Sequence, residues 1–252
     1  MRSPAYPEIV PAKPRSPRKV TNSNTQWFSA AALVDSQGGR FSRELGIDLS
    51  FGDSQEIFKW FLAAILFGAR ISETLAVRTY RDFIREELTT PQQILARGWD
   101  GLVAILDHGG YVRYDFKTAT KLLEVTGTLV ERYGGDLNVL HQTAENPADL
   151  ERRIRSLGKG IGEVTVNIFL REMRGIWNKA DPLPSELVLA AAKDSGFIPR
   201  DVTDKRTAMH LLMSLWQREA KSPEDFPDFE AALLRLGLRQ RRESSRKRKA
   251  SP

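Results

Sequence analysis

Gly160-Ile161-Gly162 separates two stretches of helical periodicity, residues 148–157 and 163–174, with only a few residues to reverse the chain. A connection that short constrains the fold strongly: two helices must meet at a tight turn, and the residues that make the turn must tolerate unusual backbone angles. Gly160 and Gly162 can both adopt positive φ and let a ligand come close to the main chain. The helix that starts at residue 163 then offers unpaired N–H groups and a positive dipole end, which suit a phosphate oxygen. Ile161 between the glycines is expected to plug into the chain's own core. An ordinary helix-to-helix turn with two convenient glycines is the competing reading.

The rest of the pattern is also helical, with no convincing strand alternation. Asp53 with Glu56 forms a capping-box-like start for Ile57, Phe58, Phe61, Leu62, Ile65 and Leu66. Ser72 can cap the next helix, and Thr90 with Pro91 starts a short one that Gly98 stops. Asp100 opens another, Phe116 to Tyr133 stripe a long one ended by Gly134-Gly135, Asp136 opens one more, and Pro147 leads into the turn. Further helices are expected over 183–193, 204–219 and 226–236. Such closely spaced elements predict an all-α fold.

The turn string, followed by Asp181-Pro182-Leu183-Pro184-Ser185-Glu186-Leu187, resembles the helix-hairpin-helix DNA glycosylases, a superfamily that includes endonuclease III and the 3-methyladenine DNA glycosylase II type. The second string is closer to the alkylated-base branch. The resemblance covers roughly residues 55–196. It implies two helical lobes with a helix-hairpin-helix element and a cleft between the lobes, and residues 53–174 would form the central bundle. Residues 27–52 plus 175–238 would form the second lobe, flanked by basic tails at 1–26 and 239–252. It further implies base-excision repair of double-stranded DNA carrying a damaged or mispaired base, which is flipped out so that its N-glycosidic bond can be hydrolysed.

Within that resemblance Asp181 takes the place of the catalytic carboxylate, facing the cleft, where it would stabilise positive charge on the sugar and orient water. An Asp ahead of a helix is also a good N-cap, and the two roles are compatible. Lys159, Gly160, Ile161 and Gly162 would hold DNA backbone. Arg70 lies where relatives probe the duplex, although a cation at a helix C-terminus is an equal reading. Tyr111 and Arg113 lie where relatives carry a wedge loop, although for Tyr111 and Tyr114 core packing is the favoured reading over wedging. Trp177 can be core or help form a base pocket. The position of the strand-nicking lysine is Val164, so a monofunctional enzyme is expected, with Lys179 the only plausible substitute.

Composition narrows this reading. There is no cysteine, so the cysteine-ligated iron–sulfur cluster of many endonuclease III relatives has no ligands here, and no cofactor is expected. His108, His141 and His210 are scattered, and no metal site is expected. The formal charge of +6 belongs to the ends: the tails hold +10 between them, leaving −4 for the remainder. A DNA-binding face on the remainder must come from local clustering, and Arg152, Arg153, Arg155, Lys159, Arg171 and Arg174 are the candidates. The 239–252 tail can be disordered or can extend the last helix; its Arg246-Lys247-Arg248-Lys249 resembles a nuclear-import or nucleic-acid patch. Residues 60–69 are apolar but too short for a bilayer, and the Pro- and Arg-rich N-terminus is not a secretory signal, so an intracellular monomer is expected. A non-catalytic helix-hairpin-helix DNA-binding protein is the alternative function, and a helical interaction protein a third.

Overall fold

The computed structural model describes residues 29–69, 71–219 and 222–250. The protein is all-α, with no strand among those residues. In chain order the helices are α1 (Ala30–Gln37), α2 (Phe41–Glu44), α3 (Ser54–Phe67), α4 (Glu73–Arg85), α5 (Pro91–Gly109) and α6 (Asp115–Tyr133). They continue as α7 (Leu137–Thr143), α8 (Pro147–Arg155), α9 (Glu163–Glu172), α10 (Glu186–Asp194), α11 (Lys205–Arg218) and α12 (Phe226–Ala250). Among the described residues no helix is long and apolar enough to cross a membrane.

Capping chemistry places most of the starts. Asp53 accepts the N–H groups of Gln55 and Glu56 at 2.9 and 3.0 Å, Ser72 accepts that of Leu75, and Thr90 accepts that of Gln93 ahead of Pro91. These side chains occupy donors that the first helical turn cannot pair internally. Gly98 stands at φ 70°, ψ 173° and breaks α5 into two pieces, as its position in the sequence predicts.

Two hydrophobic cores result. The larger is centred on α3, which buries residues on every side from Ile57 to Leu66 because α4, α7 and α9 surround it. Trp60 within it donates its indole N–H to the Phe169 carbonyl at 3.1 Å. The smaller core joins α1, α10, α11 and α12 around Phe229, which stacks on Trp216 at 5.6 Å and meets Phe197 edge-on. The segments 27–52 and 175–238, grouped in one lobe by the resemblance, divide between the two cores: Ala30 and Leu33 pack in the smaller core, but Phe41, Ile47, Leu49, Trp177 and Ala180 pack in the larger one. Apolar periodicity does not reveal which of two cores a short segment joins.

Helix α12 touches both cores through Leu234 and continues through Ala250, so residues 239–250 extend the last helix. Its path passes very close to the first turn of α10: a Cβ at Gly237 would lie 2.6 Å from the Leu187 carbonyl oxygen. Polar links reinforce the junction. The fully buried Glu172 carboxylate accepts the N–H groups of Phe41 and Ser42 at 3.0 and 2.9 Å, and Arg174 donates from Nε to Glu230 at 3.1 Å.

Candidate nucleic-acid interface and adjoining pocket

Helix α8 is set by Asn146, which accepts the Asp149 N–H, by Pro147 at its first position, and by Leu150 and Ile154 on its buried side. Asp149 is buried and accepts from Arg153 Nε at 2.7 Å, from Arg152 and from the Glu145 N–H. The Arg153 hydrogen bond, ahead of the other contacts, holds the Asp149 carboxyl below the usual carboxylate range. The chain then turns at Gly160, which takes φ +90°, while Ile161 is buried in the larger core. Gly162 departs from expectation. Its φ is −95° with ψ 177°, an extended conformation open to any residue, and it serves as the N-cap of α9.

Gly162 has no side chain with which to cap, and no other described side chain caps α9, so the first-turn N–H groups are left for an outside acceptor. Lys159 beside the turn is fixed by its own N–H, which donates to Glu124 at 2.8 Å. A further cation arrives from α6: a Cβ at Gly160 would lie 2.9 Å from Lys121 Cε and 3.5 Å from its Nζ. Burial pushes the Lys121 ammonium below its usual range. Nothing in the sequence marks Lys121, because only the packing of α6 brings it to the turn. Two expected members of the basic cluster drop out in exchange. Arg171 and Arg174 are buried at 2% and 8% exposure, Arg171 on the inward face of α9 and Arg174 just beyond its end, held by Glu230 and Asp181.

The turn borders a pocket of about 1070 Å³ walled by larger-core residues such as Phe41, Ala76 and Val166, by residues 182–187 and by Leu234 and Leu238 of α12, and Glu163 and Val164 at the start of α9 form part of its lining. Val164 is 62% exposed there, so the position expected to lack a lysine nucleophile does line the pocket. Asn167 ties α9 to the opposite wall by donating to the Leu183 carbonyl at 2.7 Å. Arg171 lines the pocket from within the core, 3.6 Å from Glu172, and its Nε has no hydrogen-bond partner among the described residues. Glu151 on α8 also lines the pocket. Burial, then the nearby Glu163 carboxylate and, more weakly, Asp181, raise its carboxyl above the usual range. Glu186 lines the rim, paired with Lys205 at 2.7 Å.

Asp181 sits in the extended segment ahead of α10, but it is not the N-cap. Ser185 caps α10 by accepting the Val188 N–H, so the capping role expected for Asp181 is set aside. Its carboxylate lies 3.2 Å from Arg174 Nη1 and is hydrogen-bonded to Arg206, with the side chain 41% exposed. Pro182, Leu183 and Pro184 line the pocket while Asp181 itself does not, which corrects its expected place on the wall to one directly behind the rim.

Tyr111 is corrected outright as a wedge. It is 1% exposed and donates its hydroxyl to the Leu66 carbonyl at 2.6 Å, and burial raises its phenol pKa. The loop exposes Val112, Arg113 and, at the second residue of α6, Phe116 instead, the last packed on Trp99 at 5.3 Å. Trp177 is buried, stacked on His141 at 4.7 Å, and Lys179 donates to the His141 and Gln142 carbonyls, so neither is free to line a pocket or attack a sugar. Arg70 lies outside the described residues, as do Trp27 and the 1–26 tail. Among the described residues no group of His, Cys, Asp or Glu could hold a metal.

No protein-family model matches the chain, and no curated protein matches it.

Proposed function

We propose that the protein is a DNA base-excision glycosylase with two helical lobes, whose α8–turn–α9 segment is a helix-hairpin-helix element and whose pocket is the cleft that receives a flipped base. One observation carries the reading: the uncapped α9, with its positive-φ Gly160 turn, opens directly onto a pocket of about 1070 Å³. A backbone-gripping turn beside a cavity of that size is what extrusion of a nucleotide requires, because the strand must be held while its base leaves the stack. Asp181, fixed by Arg174 and Arg206 behind the rim, supplies the carboxylate for the sugar. Val164 supplies no amine, so hydrolysis without strand nicking follows.

The double engagement of Asp181 favours a second reading, a DNA-binding protein of the same architecture without chemistry. Both carboxylate oxygens already have arginine partners. Duplexes containing alkylated, oxidised, deaminated or mismatched bases separate the two: base release identifies the enzyme, and tight binding without release identifies the alternative. If the protein neither binds nor acts on any duplex, both readings fail.

A further inference from the structure

A second pocket, of about 730 Å³, lies between α4 and the far half of α12. Arg78, Arg81 and Arg85 recur three and four residues apart on α4 and so share one face, and Arg242 lines the pocket from α12. The two carboxylates in its lining are already satisfied. Asp82 is buried and engages Arg85 at 2.8 Å and His108 Nδ1 at 3.0 Å, and Glu73 engages Arg235 at 3.0 Å. Arg78 donates to the His108 carbonyl, but Arg81 and Arg242 have no hydrogen-bond or ion-pair partner among the described residues. Two free guanidinium groups in one concavity concentrate positive charge there, one on α4 and one on the basic far half of α12. Guanidinium forks match phosphate oxygens. Glu73, Thr74 and Arg242 line both pockets, so this groove is continuous with the rim of the larger one.

We propose that the α4–α12 groove is a second phosphate-binding surface, which holds the sugar–phosphate backbone of duplex DNA flanking the larger pocket. The inference rests on DNA as the partner and not on base hydrolysis. With the hairpin turn it gives the pocket two backbone grips, one from α8–α9 and one from α4–α12. A duplex held at two places resists sliding while a base is withdrawn between them.

The test uses the full chain and an undamaged fluorescent duplex of about 25 base pairs, titrated over a series of salt concentrations, with base release by the parent on the damaged-base panel scored separately. R81Q/R242Q is compared with R81K/R242K and with a control pair, R200Q/R218Q, taken from exposed arginines elsewhere. The groove predicts that R81Q/R242Q lowers the log–log salt slope by about 1.8, two phosphates at about 0.9 each, that the lysine pair restores much of it, and that the control leaves it in place. An unchanged slope in R81Q/R242Q, or an equal drop in the control, overturns the groove whether or not base release is seen. A lowered slope with no base release from any substrate keeps the groove and removes the glycosylase. A parent that does not bind duplex removes both.

Discussion

Asp181 and Glu172 show how differently two carboxylates of one chain are used. Asp181 is partly exposed and shared between two arginines, one of which, Arg174, keeps Glu230 as a partner when Asp181 is changed. Asp181→Asn should therefore leave the fold and duplex binding nearly intact while base release in single-turnover assays falls by two orders of magnitude or more, on the order of the loss for a transition-state contact. Activity within a few fold of the parent would take Asp181 out of the mechanism. Glu172, by contrast, is a structural group. Glu172→Ala strands the Phe41 and Ser42 N–H groups in the core and should cost about 2–4 kcal/mol in urea unfolding. Burial, the largest influence, raises the Glu172 carboxyl above its ordinary range against the opposing pull of Arg171 and the two N–H donors. A raised folded-state pKa contributes stability that is complete below the unfolded value and is lost as pH rises through the folded one. Stability of the parent relative to Glu172→Gln should thus decline as pH climbs from about 4, the ordinary carboxylate value, toward neutrality. A difference that grows with pH would contradict that assignment.

At the scale of elements the turn before α9 makes a sharper prediction than two equivalent glycines would. Gly160→Val must accept a positive φ and displace Lys121, so it should lose about 1–3 kcal/mol of stability as well as DNA affinity. Gly162→Val has extended backbone and no atom within 4 Å of its Cβ, so its thermal melt should match the parent. Its branched side chain still stands beside the first N–H groups of α9, and affinity should drop alike for damaged and undamaged duplex. Full affinity in a folded Gly162→Val protein would make the turn a mere connector. Most helices were legible because their starts depend on local chemistry: Asp53, Ser72, Thr90, Asp136 and Pro147 mark helices in the sequence and in the fold. Helix α2 was not legible. Its four residues are held by Glu172 from 130 residues away, an interaction with no local signature. The candidate site was legible where chain neighbours make it, at Gly160 and Val164. It was not legible where packing decides, as in the burial of Arg171 or the arrival of Lys121 from α6, and for Tyr111 core packing and wedging were both open. A wedge loop and a core tyrosine share the same Gly-Gly-Tyr string, and only the Leu66 carbonyl that receives the hydroxyl tells them apart.

For the whole molecule, the separation of charge between ends and middle becomes a statement about salt. Deleting residues 1–26 and 239–252 removes a formal +10 but no buried core residue of α12, whose last is Leu236. The truncated chain should keep its helical circular dichroism and bind undamaged duplex with a flatter log–log salt slope, by about 0.9 for each phosphate that the tails no longer neutralise. An unchanged slope would leave the hairpin turn and its neighbouring lysines as the whole of the backbone grip. The segment removed is ordered helix up to Ala250, and it begins just beyond the point where residue 237 lies against Leu187. That close approach makes Gly237 a fulcrum. Thirteen residues of helix beyond it form an arm about 20 Å long, with Arg241 and Arg242 near its base and the densest run of cations toward its tip. A single methyl at 237 would press on the Leu187 carbonyl, so the smallest side-chain addition in the chain would strain the contact from which its largest block of positive charge projects.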